Sequence, residues 1–267
     1  ANGVIDDGDD FRNLNSQGIA EGWLPVGNRD DYFRADFDGQ GHIIKNLTIN
    51  RPSSSGVGLF GYVQHAHIEN LAIAGLHSLV VGKDYVGALV GNAVSNNKMN
   101  NLAIAANIHG DDYVAGLVGL VYSAAHIENT FVSGSVSGDR NVGGLIGSLW
   151  ASSSDLKNVI NQTLSTSTVS GNSNVGGLIG EAHNTDVINS YWAKDVSSQI
   201  DSAGRSEAYS YVGLDLATLQ CAIAANTNFS MGCVSFNGSA EGLAGAVVLY
   251  KDWDPIIWDF GTAPNGN

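Results

Sequence analysis

One short phrase is written five times along this chain, and its spacing decides what the chain can fold into. It reads Val57-Gly58-Leu59-Phe60-Gly61, Val86-Gly87-Ala88-Leu89-Val90-Gly91, Val114-Ala115-Gly116-Leu117-Val118-Gly119, Val142-Gly143-Gly144-Leu145-Ile146-Gly147 and Val175-Gly176-Gly177-Leu178-Ile179-Gly180. The closing glycines Gly61, Gly91, Gly119, Gly147 and Gly180 stand 30, 28, 28 and 33 residues apart. A second phrase keeps step with the first and ends in Asn70, Asn101, Asn129, Asn158 and Asn189, which follow those glycines by 9, 10, 10, 11 and 9 residues. Self-similarity at a period of ~20–50 residues is the mark of a solenoid, in which units too small to bury a core alone are stabilised by stacking.

The units read as strands. Ile43 to Ile49 alternates with a period of two, and glycines interrupt every candidate for a helical stripe between Asn46 and Asn189. A further glycine four residues before the opening valine of the last four units (Gly82, Gly110, Gly138, Gly171; the first carries Ser53) is expected where the chain turns with positive φ or where coils approach closely. Crossovers between parallel strands are right-handed, so the expectation is a right-handed parallel β-solenoid of about six to seven coils. Residues 1–36 lack the phrases and are expected to form an N-terminal cap or incomplete first coil. The solenoid is assigned to residues 37–195, and a widened last coil with a C-terminal cap to residues 196–267. In that last part Leu214 to Gln220 is the one short helix expected, and Tyr250, Trp253, Trp258 and Phe260 suit a closing cap.

Charge narrows the partners. With 26 acidic and 12 basic residues the formal charge is −14, which repels phosphate backbones and anionic lipid, so neither nucleic acid nor a membrane surface is an expected partner. No run of ~18 apolar residues predicts a membrane span, and Ala1 onward shows no basic segment followed by an apolar one, as an unprocessed signal peptide would. Cys221 and Cys233 enclose a short polar loop; they read as a disulfide, formed in an oxidising compartment, or as a reduced buried pair.

The chain resembles the GLUG-repeat family of bacterial surface proteins, named for this glycine-leucine-aliphatic-glycine phrase. Trp23-Leu24-Pro25-Val26-Gly27 and Phe37-Asp38-Gly39-Gln40-Gly41-His42 look like the family's entry segment, and Thr218-Leu219-Gln220-Cys221 with Trp253 to Thr262 like its exit. Ala263-Pro264-Asn265 stands where the family's Tyr-Pro-Leu ending is expected. The resemblance implies an extracellular bacterial location, membership of a larger multidomain adhesin, and an adhesive or architectural role. The zinc peptidase activity of some relatives does not carry over, because no His-Glu-x-x-His occurs.

Stacking turns equivalent letters into columns, and each column can be read for chemistry. Asp84, Asp112, Arg140 and Ser173 form an acidic-to-basic row with donors for a sugar or a calcium ion, although Asp is also the ordinary occupant of turns. The same row is where a polysaccharide-cleaving enzyme would find its carboxylates; no catalytic set, cofactor site or resident metal site is assigned. His67 and His126 share a register with Lys98 between them, too far apart for one metal ion. Asn46, Asn70, Asn101, Asn129, Asn158 and Asn189 are expected to stack as an amide ladder. Three residues past each closing glycine come Gln64, Val94, Tyr122, Trp150 and His183, which point outward if Val63, Ala93, Val121, Leu149 and Ala182 point in. Tyr122, Trp150 and His183, with the second aromatic row Tyr85 and Tyr113, are the candidate ligand-binding residues, suited to the apolar faces of sugar rings. The expected function is a non-enzymatic binding module contacting extracellular glycan or another polymer; a passive spacer and a polysaccharide-cleaving enzyme are the alternatives.

Overall fold

The computed structural model of the chain describes residues 13–201, 203–206, 212–219, 233–235 and 247–249. Those within residues 13–219 form the parallel β-solenoid that the period predicts, with three columns of strands, while Cys233–Ser235 and Val247–Leu249 pair antiparallel in a sheet of their own. One coil shows the plan. Lys98–His109 runs along a long sheet, Asp112–Ala115 enters a four-stranded sheet, and Val118–Tyr122 enters a six-stranded sheet before the chain returns to the long sheet at His126. Each segment pairs in parallel with its counterparts one coil before and one coil after. The valine-to-glycine phrases coincide, with Val90, Val118 and Ile146 in one rung column and Val86, Val114 and Val142 in the next. Residues 13–35 lie against the first coil through single bridges such as Val26 to Phe60 and Phe33 to Val63, and Trp23 Nε1 donates to the Leu59 carbonyl at 2.9 Å.

Why glycine closes each phrase is visible in the packing. The four-stranded and six-stranded sheets are the two legs of a tight arch, and a Cβ on Gly119 would stand 2.5 Å from Val86 N and 2.7 Å from Tyr113 O. The turn glycines also serve close approach rather than positive φ: a Cβ on Gly110 would meet Val86 Cγ2 at 2.8 Å and Val114 Cγ2 at 3.0 Å. Positive φ falls three residues later, on Tyr85, Tyr113, Asn141 and Asn174 (φ 55, 60, 54 and 52°).

The core is filled by inward columns that complement each other across the coil. Ile73, Ile104, Val132, Ser165 and Trp192 stand in register on the long sheet, all buried. Facing them, the third letter of the phrase changes from Leu59 and Ala88 to Gly116, Gly144 and Gly177. Gly116 lies against Val132, Gly144 against Ser165, and Gly177 against the Trp192 indole. Close packing requires this kind of volume exchange, since native interiors leave few voids.

Two sequence readings are corrected. Asn158 is not a member of the asparagine ladder. The register sets Ile127 opposite Ile160 and Glu128 opposite Asn161, so the counterpart of Asn129 is Gln162, and that of Gln162 is Asn189. The extra length of the fourth coil enters directly after Trp150, in a turn containing the 3₁₀ segment Ser154–Leu156. Leu156-Lys157-Asn158 only imitates the phrase. Asn158 is fully buried at a corner, in a column that runs Ala66, Asn97, Ala125, Asn158. There Asn97 Oδ1 accepts from Ala66 N and Asn158 Oδ1 from Ala125 N, each at 3.0 Å.

Asn46 also leaves the ladder, because it lies against Gly75, where its Oδ1 accepts from His77 N at 3.3 Å. Its φ of 56° breaks the alternation expected from Ile43 to Ile49: Ile43 faces solvent, while Leu47 and Ile49 are buried. Of the expected helix at Leu214 to Gln220, Leu216–Leu219 forms; a further turn, Lys194–Ser197, was not anticipated. The cysteine reading rests on Cys221, outside the described residues, and on Cys233, of which only the strand Cys233–Ser235 is described. Tyr250, Trp253, Trp258 and Phe260 also lie outside them.

Candidate functional site

The six-stranded sheet carries the aromatic row where the spacing places it. Tyr122 pairs with Trp150 and with Val94, and Gln64 with Val94. Val63, Ala93, Val121, Leu149 and Ala182 are fully buried, so the residues after them emerge on the outer face. Tyr122 and Trp150 are 39% and 38% exposed, the most exposed rings of that row, and they stack with centroids 4.8 Å apart at 26°. His183 follows Ala182, which pairs with Leu149, and so stands beside Trp150; its N–H donates to the Leu149 carbonyl at 2.9 Å. The second pair, Tyr85 and Tyr113, stacks at 5.1 Å and 25°, and Tyr32 meets Tyr62 edge-on at 5.9 Å.

Stacking along the solenoid axis has a chemical consequence. Each ring in a pair turns one face to its partner, so the pairs present edges outward and keep only the outermost faces for another molecule. The phenols share a partly buried strip. Burial pushes Tyr113 above its ordinary range, helped by Tyr85 and by Glu181 and Asp112. Burial also raises Tyr62, opposed by Arg29 and reinforced by Tyr85. Tyr85 and Tyr113 hold the left-handed backbone that bulky residues rarely adopt, whereas Asn141 and Asn174 continue the column in the ordinary way, Asn174 Nδ2 donating to Asn141 Oδ1 at 2.7 Å.

The acidic row is in register as expected, Asp84 with Asp112, Asp112 with Arg140, and Arg140 with Ser173. Arg140 grips Asp112 through two hydrogen bonds, Nε to Oδ1 at 3.0 Å and Nη2 to Oδ2. That bond and charge raise the Arg140 guanidinium above its ordinary value. Asp84 accepts from Ser55 Oγ at 3.2 Å, with Lys83 Nζ at 3.7 Å. Among the described residues no three His, Cys, Asp or Glu side chains converge as a metal site requires.

The asparagine row bends the long sheet. Asn70, Asn101, Asn129, Gln162 and Asn189 all take φ between 47 and 55°. The buried residues on either side, Ile68 and Leu71 for example, are therefore three apart instead of two. Asn101 Nδ2 donates to Asn70 Oδ1 at 2.8 Å, and Asn70 Nδ2 to Asp38 Oδ1 at 2.9 Å, but Asn129 Nδ2 turns to Asn100 Oδ1 at 2.9 Å.

Two depressions flank this row on the outer surface, and sequence reasoning assigned neither. One runs over Asn70, Asn101 and Asn129 to Ala72, Ala103 and Phe131. The other is lined by His67, Lys98, Asn100, His126 and Glu128. The register column Ile43, Ala72, Ala103, Phe131 was the available signal.

No family model matches the chain, and no solved structure matches it. A stretch of 91 residues is 33% identical to Halomucin of Haloquadratum walsbyi (strain DSM 16790 / HBSQ001), covering 33% of this chain and 1% of that protein. The chain thus spans about a hundredth of that relative's length. Among the described residues no helix is long and apolar enough to cross a membrane, which says nothing of β-barrels.

Proposed function

We propose that this chain is a non-enzymatic binding module of a larger extracellular or cell-surface protein, one that holds a glycan or another extracellular polymer along one side of its solenoid. The observation that carries the reading is the aromatic strip of the two short sheets. Tyr85 with Tyr113 and Tyr122 with Trp150 lie on successive rungs of a rigid surface, with the phenols themselves and the Asp112 and Glu181 carboxylates near Tyr113 to take hydroxyl groups. The GLUG-type resemblance agrees with such a role, as does the stretch of likeness to a very much longer protein. The test is a glycan array with wild type and Trp150→Ala: binding that drops in the variant supports the strip. No bound ligand, or binding that ignores the substitution, removes it.

A specific observation also favours a second reading, the passive spacer. Ring faces consumed by each other stabilise the stack of coils without any ligand. A spacer predicts that no surface substitution changes any binding.

A further inference from the structure

We propose that the depression over the asparagine row is a subsite for one uncharged pyranose ring, with Phe131 as its stacking wall. This inference rests on the glycan reading above, and adds to the ring pairs a separate subsite on the bent long sheet.

The outward column on that sheet reads Ile43, Ala72, Ala103, Phe131 and Leu164. Two alanines between larger side chains leave a notch two rungs wide, with walls about 14 Å apart at ~4.8 Å per rung. Ala74 and Ala105, two residues further along the same strands and bordered in register by Lys45 and Ser133, continue the same low floor. The open volume is 180 Å³, below the ~300–1,000 Å³ of pockets for drug-sized ligands, and on the scale of a single ring.

Three features define what fits. Unlike the tyrosines and Trp150, Phe131 makes no ring contact among the described residues, and its neighbour toward the notch is only Ala103. It can therefore offer an aromatic surface that the stacked pairs have already used. On the opposite border the amide chain is interrupted: Asn129 bonds Asn100, so Asn101 Oδ1 accepts no hydrogen bond among the described residues. An acceptor facing a cavity calls for a donor, and a sugar hydroxyl supplies one while its C–H face lies on Phe131.

Charge then selects the class of sugar. Beyond the amides stand Glu69 and Glu128 with Asn100 between them in register, Lys98 lies two residues back in the His67–His126 column, and Glu69 is held by His67 at 3.3 Å. Two carboxylates against one lysine, on a chain of charge −14, disfavour a polyanion and leave the hydroxyls of a neutral glycan as suitable partners.

The experiment titrates neutral oligosaccharides (cello-, manno- and xylo-series) and acidic ones (oligogalacturonate, hyaluronan fragments) into the wild type, Phe131→Ala, Ala103→Leu and Trp150→Ala, with amide NMR shifts as the readout. Ala103 faces solvent, so its leucine variant fills the notch without touching the core, and unchanged spectra away from the site verify folding. The expected result is neutral binding that falls about tenfold in Phe131→Ala and in Ala103→Leu, with shifts clustered at Asn101. A preference for acidic glycans, or neutral binding that only Trp150→Ala weakens, overturns this site and leaves the general glycan reading standing. If no glycan of either class binds, both fall together.

Discussion

Gly177→Ala is the sharpest probe of how these coils interlock. A methyl group at Gly177 would overlap Trp192 Cδ1 and Nε1 and come within 2.8 Å of Cγ, where carbon contacts prefer ~3.5–4.0 Å. The indole has nowhere to retreat. It is 2% exposed, and a Cβ at Gly213 on the next coil would stand 2.5 Å from its Cε2. The backbone of this column accepts a side chain elsewhere, since Leu59 and Ala88 occupy it in earlier coils, so the cost comes from the ring opposite. Overpacking costs roughly 1–3 kcal/mol, and a ring held from both sides puts the substitution near the top, at about 3 kcal/mol. For a chain of this size that is a fall of about 6–12 °C in the unfolding temperature.

Calorimetry on a double-mutant cycle checks the source of that cost. Trp192→Leu destabilises on its own, and adding Gly177→Ala to it should cost almost nothing, leaving a coupling of about 2–3 kcal/mol. Equal losses from Gly177→Ala in both backgrounds would refute the interlock and assign the glycine to backbone geometry.

Three further outcomes are expected. The Asp38 carboxyl is held below its ordinary value of 3.8 by the Asn70 side-chain amide and then by the Gln40 N–H. Stability from this bond is therefore present above the unfolded pKa and is lost as pH falls through the lower folded value; amide NMR should show the rung at Asn70 loosening below about pH 4, and Asp38→Asn should abolish that dependence. Replacing both Tyr85 and Tyr113 by Asn should leave the unfolding temperature within a few degrees, because a lost ring pair of ~0.5–1.5 kcal/mol is offset by relief of the left-handed tyrosines, and a calorimetric loss much beyond that would contradict the strain argument. Deleting Ser152 to Leu156 should preserve the circular dichroism of the fold, since the extra residues lie outside the ladder and chiefly forfeit the Ala124 N–H bond to Leu156 O.

The coil period and most of the register were legible because hydrophobic repetition and strand pairing are the same fact seen twice. Val90, Val118 and Ile146 align in sequence and in space, and so do Tyr122 and Trp150. The misplacement of Asn158 has a physical cause: a surface turn absorbs five residues at little cost, and nothing in Leu156-Lys157-Asn158 distinguishes a strand start from a turn that happens to resemble one. The left-handed tyrosines were hidden for the opposite reason, because local preference argues against them. Only Asn141 and Asn174 in the same column betray the conformation. Alanines carry no chemistry of their own, so the notch at Ala72 and Ala103 becomes a feature only once Ile43 and Phe131 are known to border it.

In a stack of equivalent coils, repetition explains stability and departures from it carry the remaining information. Most departures here are compensated from within: Trp192 appears where Gly177 and Gly213 make room, and Arg140 replaces an acid where Asp112 can hold it. The tyrosine pairs likewise satisfy one another's inner faces, so that only their edges and outermost faces remain for a ligand. At Phe131 the pattern differs, since a ring rises beside two alanines at the rung where the amide ladder skips a member, and nothing among the described residues fills the notch or the free Asn101 acceptor. A departure without an internal counterpart is the place where an external one belongs, which ranks the Phe131 notch above the exposed ring pairs as the first surface to perturb.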